Sequence, residues 1–226
     1  MNEAKKTNLV RGDSFTKSFF NGSVLDIGPG TGLVCDWAQG FDLEDGDANY
    51  ISQYVNKLFD TVHSSHCLEH MYDPVNALHE WWKLVKIGGY LVLVVPHEDL
   101  YEQGFWPSIF NEDHKSTFRF RTDSSWSPVS YDIESLVKAL PGVNIINAEI
   151  QDHAYDYSLQ SKYPPKRCEE PKAVWFIRKA IKRIPILGNR LTDKLEEYSH
   201  KSYGLPVDQT LKVALAQIQI VAQKVF

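Results

Sequence analysis

The chain has 226 residues, 43% of them hydrophobic and 23% charged, with a net charge of −5. That length suits one α/β domain with a sizeable core, and the acidic balance argues against bulk nucleic-acid binding. No run approaches the ~18 apolar residues of a membrane span, and Met1 to Arg11 lacks a signal peptide's apolar stretch. Cys35, Cys67 and Cys168 are widely spaced and odd in number, which suits reduced thiols in a cytoplasmic protein rather than a disulfide framework.

Residues 1–21 are polar, with aromatics at Phe15, Phe19 and Phe20, and read as a cap or short helix over the core. Residues 23–27 read as a short buried strand carrying one acid, Asp26. The strand runs into Gly28-Pro29-Gly30-Thr31-Gly32, a loop whose glycines reach positive φ cheaply and leave the main chain bare to a ligand. A dinucleotide fingerprint needs glycine where Leu33 stands. Asp26, two residues before the first glycine, suits a ligand with a cationic group better than a pyrophosphate. S-adenosylmethionine (SAM), with its ammonium and sulfonium, has that character. Leu33 to Gly40 leaves room for about two helical turns.

The acidic run Phe41-Asp42-Leu43-Glu44-Asp45-Gly46-Asp47-Ala48 follows. A carboxylate at the tip of a second strand takes ribose hydroxyls in nucleotide-binding sheets, and Asp42 and Asp47 both stand near the required place. Residues 58–63 read as a strand running into the polar turn Ser64-Ser65-His66-Cys67-Leu68-Glu69-His70. Asp73 caps a helix with Pro74 in its first turn, Val75, Leu78, Trp82 and Val85 as its buried stripe, and Gly88-Gly89 as its stop. Tyr90 to Val95 is a continuous apolar strand, as at the centre of a parallel sheet. The connection 96–129, rich in His, Asp and aromatics, reads as a long binding loop over the ligand mouth. Residues 130–140 read as a helix, with strands at 143–150 and 214–225.

Residues 162–194 hold ten Lys or Arg against three acids, so the rest of the chain is net −12. Within this basic helical insertion, reaching about residue 200, residues 172–184 read either as a solvated helix packed on the core or as a surface helix for anionic membranes or substrates.

The glycine loop, the abridged acidic turn, Phe59-Asp60, Ser64-Ser65-His66, Glu69-His70 and Lys86-Ile87-Gly88-Gly89-Tyr90 together resemble class I SAM-dependent methyltransferases over about residues 22–97. The resemblance implies a Rossmann-like, doubly wound α/β fold. Its mostly parallel seven-stranded sheet would have residues 214–225 inserted antiparallel. It also implies that Asp26, Gly28, Gly30, Thr31 and Gly32 hold the methionine end. Asp42 would match the ribose acid, Asp47-Ala48 the pair beside the adenine, and Ser64, Ser65 and His66 the turn after the fourth strand. The missing helix after the second strand leaves Asp42 and Asp47 open as ribose ligands. The acceptor is expected to be a small molecule or glycan, such as a sugar hydroxyl. His97 and His114 are then the candidate general bases. Two other readings are a non-catalytic SAM- or nucleoside-binding protein and a metal hydrolase on His63, His66, Cys67 and His70. The hydrolase set has no clear third ligand, so no metal site is expected.

Overall fold

The computed structural model describes residues 3–161, 171–181 and 187–226. Its main sheet is built from β1 (Val24–Ile27), β2 (Gln39–Phe41), β3 (Phe59–Ser65), β4 (Val85–Pro96), β7 (Val143–Gln151) and β8 (Gln217–Lys224). The spatial order is β2-β1-β3-β4-β8-β7. Neighbours among β1 to β4 run parallel, and β8 is antiparallel to both β4 and β7. A small parallel pair, β5 (Thr117–Arg119) with β6 (Ser130–Asp132), forms a second sheet, joined to the end of β4 by a bridge between His97 and Phe118. The helices are α1 (Glu3–Phe19), α2 (Pro74–Lys83), α3 (Ile133–Lys138), α4 (Lys172–Ile181) and α5 (Leu187–Tyr203).

Side chains alternate across the sheet, so each strand feeds two layers. Leu25, Val62, Leu91, Leu93, Ile218 and Ile220 face α2 and α3, where Leu78, Trp81, Trp82, Ile133 and Val137 close the larger core. Val24, Val92 and Val221 face the other way, under Phe20. Toward the carboxyl ends of the parallel strands, where antiparallel β8 begins, this second face turns polar: Asp26, His63, Gln217 and Gln219 are all buried there. Buried Thr7 and Arg11 of α1 meet them, and Lys6 is buried on the same helix. Arg11 donates to Gln219 Oε1 at 2.6 Å, and Lys6 to the Thr210 carbonyl.

Several expectations need correction. Among the described residues the main sheet has six strands, not seven. Residues 42–58 hold only a short 3₁₀ helix (Ala48–Gln53), tied onto α2 by Trp81 Nε1–H to the Ala48 carbonyl at 2.9 Å and Asn76 Nδ2–H to the Asn49 carbonyl at 3.2 Å. That length cannot also supply a strand and its crossover. No helix follows the glycine loop: residues 28–38 return directly to β2 through turns. α2 stops at Lys83, and Gly88-Gly89 sits inside β4, where the register with β3 shifts. Trp81 replaces Val75 in the buried stripe, Val75 being half-exposed. The connection 96–129 is not structureless; it holds a π-helical turn (Glu98–Glu102) and β5.

The basic segment maps onto α4 and α5, but residues 162–170 and 182–186 lie outside the described residues, as do the side chains of Arg178 and Lys179. Among the described residues no helix is long and apolar enough to cross a membrane.

Candidate active site

The glycine loop starts where β1 ends. Gly28 N–H donates to the Phe41 carbonyl at 2.9 Å, joining the tips of β1 and β2. Gly28 has φ +70°, and a Cβ there would stand 2.7 Å from Cys67 Sγ, so the loop lies directly on the turn after β3. Gly30 has φ +55°, and a Cβ there would meet nothing within 4 Å. One glycine is required by packing and the other leaves open space.

Asp26 holds this loop from beneath. Its Oδ2 accepts the Val34 N–H at 2.6 Å, and its Oδ1 lies 2.6 Å from His63 Nδ1. A carboxylate only accepts, so His63 donates through Nδ1. His63 Nε2 is then the acceptor for Arg11 Nη1, 3.3 Å away. This buried relay links α1, β3, β1 and the loop. Burial lowers the His63 pKa, which agrees with a neutral imidazole, and brings the Arg11 pKa down to about 9.

A cavity of about 740 Å³ opens at the carboxyl ends of β1, β2 and β3. The chain leaves β1 for β2 on one side and β3 on the other, the switch point where open α/β sheets bind ligands. Gly28 and Gly30 form one wall, Asp42, Asp47, Ala48 and Asn49 a second, and His66, His70, Asp113 and Lys115 a third. Asp42 follows β2 immediately. Its Oδ2 accepts Gly30 N–H at 2.9 Å and its Oδ1 accepts Leu43 N–H at 2.8 Å. Asp47 caps the 3₁₀ helix, its Oδ1 accepting the backbone and side-chain N–H groups of Asn49, both at 2.8 Å.

Of the residues expected at the site, Gly28, Gly30, Asp42, Asp47, Ala48 and His66 line the cavity. Asp26, Thr31, Gly32, Ser64 and Ser65 do not. Asp26 is spent on Val34 and His63, Gly32 N–H turns back to the Pro29 carbonyl, and Ser64 Oγ donates to the Ile27 carbonyl. His97 is buried away from the cavity, its Nδ1 accepting the Asp99 N–H at 3.1 Å. His114 is also buried but stands behind His70, ring to ring at 5.0 Å. His63 takes no part in a histidine cluster with His66 and His70, being held in the relay. Cys67 packs under Gly28, its thiol pushed up to about 12 by burial.

The sequence reading missed Asn49, Asp113 and Lys115 as wall residues, along with the pairing of His70 with His114. Asn49 adjoins Ala48 and was within reach. Asp113 and Lys115 carry no local signal, because the return of the 96–129 connection brings them across; Lys115 N–H donates to the Glu69 carbonyl at 2.7 Å. Burial is the main cause lowering the His66 pKa, to about 4, and burial also lowers that of His70.

Residues 13–126 match the family model described as "Methyltransferase domain". Among solved structures, the chain resembles a SAM-dependent methyltransferase from Archaeoglobus fulgidus at 17% identity and TM-score 0.54, covering 98% of this chain and 94% of that one. It also resembles phosphoethanolamine N-methyltransferase 2 of Haemonchus contortus, solved with phosphomonomethylethanolamine and S-adenosylhomocysteine, at 14% identity and TM-score 0.50. That match covers 99% of this chain and 53% of that one. At these identities the likeness is one of fold. No curated protein resembles the chain closely enough to count as a match.

Proposed function

The chain belongs to the methyltransferase domain family, and from that premise we propose that it moves a methyl group from SAM to a hydroxyl of a small polar acceptor such as a sugar. The observation that carries this reading is the cavity at the switch point, with a bare glycine loop on one wall and acids on the next. Its volume is in the range of small-ligand sites. The residues fit the cofactor. Gly30 leaves main chain open where a Cβ would intrude, and Asp42 keeps lone pairs beyond those used by Gly30 and Leu43. Bound there, SAM supplies a methyl already activated by its sulfonium.

The chain's own residues then bind, align and exclude water. Asp42, at the tip of β2 and joined to the glycine loop, is the better ribose ligand. Asp47, occupied as a helix cap, borders the adenine with Ala48. Gly28 and Gly30 take the methionine end. Asp26 acts as a positioning residue that orders the loop through Val34, in place of direct contact with the ammonium. The wall of His66, His70, Asp113 and Lys115 receives the acceptor, and its polarity favours a hydroxyl-rich molecule. We read the chain as one such domain, cytoplasmic, with the 96–129 connection on the acceptor side.

The test is calorimetry with SAM, followed by transfer of labelled methyl to fractionated small-molecule extracts. Binding with label recovered in a polar metabolite is expected. A folded protein that binds no SAM refutes the cofactor, and binding without transfer to any fraction refutes the enzyme.

A further inference from the structure

Three side chains converge at the acceptor wall, His70 within it and Glu69 and His114 behind it, and they offer ligand atoms within 4.8 Å of one another. Glu69 and His114 are buried, and His70 reaches the cavity. The bonds on the outer sides of the rings fix what faces inward. His70 Nδ1 lies 2.9 Å from Asp113 Oδ2, and His114 Nδ1 lies 2.6 Å from Glu102 Oε1, so both donate through Nδ1. Each Nε2 faces Glu69 Oε1 at 3.9 Å, beyond hydrogen-bond reach. His66 repeats the pattern from a third side: Nε2 is 3.0 Å from Gln217 Oε1, and Nδ1 faces the same Glu69 oxygen at 3.6 Å. The Gln217 amide already donates to Thr7 and Gln151, so its Oε1 accepts from His66. Three imidazole nitrogens therefore converge on one buried carboxylate oxygen.

Ligand atoms of Glu69, His70 and His114 this close together form a set that one cation can share. A carboxylate or carbonyl on the far nitrogen of each histidine is also the usual support around a metal-bound imidazole. Glu102 Oε1 accepts from His114, while its Oε2 is buried without a hydrogen-bond partner among the described residues. Atoms 3.9 Å apart fit two bonds of about 2.0–2.2 Å to one shared ion.

We propose that Glu69, His70 and His114 form a binding site for one divalent first-row cation of the zinc type, with its open position toward the cavity. Two imidazoles and a carboxylate leave a coordination position free for a water or an acceptor oxygen. Its use in catalysis rests on the methyl-transfer reading above. A bound cation lowers the pKa of an oxygen ligand, from nearly 16 to about 7 for water on zinc, so an acceptor hydroxyl held there gives its proton to bulk water more readily.

The test uses the full chain stripped with a chelator and titrated with Co²⁺ and Zn²⁺, read by visible absorption and calorimetry. SAM affinity is measured separately. One Co²⁺ per chain with a four- or five-coordinate spectrum, displaced by Zn²⁺, is expected. His70→Ala and His114→Gln should abolish it with SAM affinity unchanged. Glu102→Gln, a milder change, should weaken metal binding about 10–100-fold. Wild-type protein that binds SAM but neither cation overturns this proposal and leaves the methyltransferase reading intact. Stoichiometric metal binding that survives both histidine substitutions also overturns it. Metal binding without SAM binding supports the site and refutes the cofactor.

Discussion

The two glycines that open the loop should fail in opposite ways when each becomes alanine. Gly28→Ala places a Cβ 2.7 Å from Cys67 Sγ and 2.8 Å from Cys67 Cβ, at φ +70°. The left-handed backbone costs about 1–2 kcal/mol for a residue with a Cβ. The overlap adds roughly 1–3 kcal/mol, since neither β1 nor the turn at Cys67 can retreat from the sheet. The total of about 2–5 kcal/mol should lower Tm by roughly 4–20 °C in a chain of this size. Gly30→Ala carries the backbone cost alone, about 2–8 °C, because no atom stands within 4 Å of its Cβ. Its methyl group instead enters the space where SAM should touch main chain, so SAM affinity should fall steeply in a protein that is still folded. Calorimetry reads both quantities. The double variant Gly28→Ala/Cys67→Gly removes both overlapping atoms and should recover the overlap share of the loss, leaving the backbone cost. Equal Tm losses for the two single variants, with SAM affinity retained in Gly30→Ala, would refute the reasoning.

Asp42→Ala should weaken SAM by at least ~3 kcal/mol, on the order of 100-fold in Kd, since hydrogen bonds to a charged acceptor contribute about 1.5–3 kcal/mol each. Exposed Glu44→Ala should change Kd by no more than about twofold. If Asp47→Ala is the damaging change instead, the ribose belongs to Asp47. The buried His63 gives a pH signature. Burial lowers its folded pKa, so below the unfolded value of about 6.5 the unfolded chain binds a proton that the folded chain refuses. Stability should therefore fall as pH drops below about 6.5, and His63→Asn should remove up to about 1.4 kcal/mol per pH unit of that slope. Urea midpoints from pH 7.5 to 5.5 check this; identical slopes in both proteins would exclude a neutral buried His63.

Much of the fold was legible because its signals are local. The run from Tyr90 to Val95 announces a central strand, and Asp73 caps α2 through the Asn76 N–H at 3.0 Å, as its place before Pro74 predicts. Gly28, Gly30 and Asp42 reach the cavity because each sits at or just beyond a strand end, where the direction of the strand carries it, and Asp47 and Ala48 reach it at the start of the 3₁₀ helix. The limits were also local. An acid before a glycine loop suits a cationic ligand, yet Asp26 alternates onto the face under α1, where the loop's own Val34 N–H and His63 claim it. Whether residues 42–58 become a strand or a turn depends on α2, which offers Trp81 and Asn76 as partners for the turn.

The histidines show the division most clearly. Sequence determined that Glu69 and His70 follow a strand and that His114 lies in a long connection. It carried no information on how that connection returns. Only the tertiary path, with Lys115 bonded to the Glu69 carbonyl and Glu102 turned onto His114, brings residues 69, 70, 102 and 114 together. Periodicity and capping act within one or two turns of chain, whereas a cluster gathered across more than forty residues exists only once the strands, helices and their connections have packed.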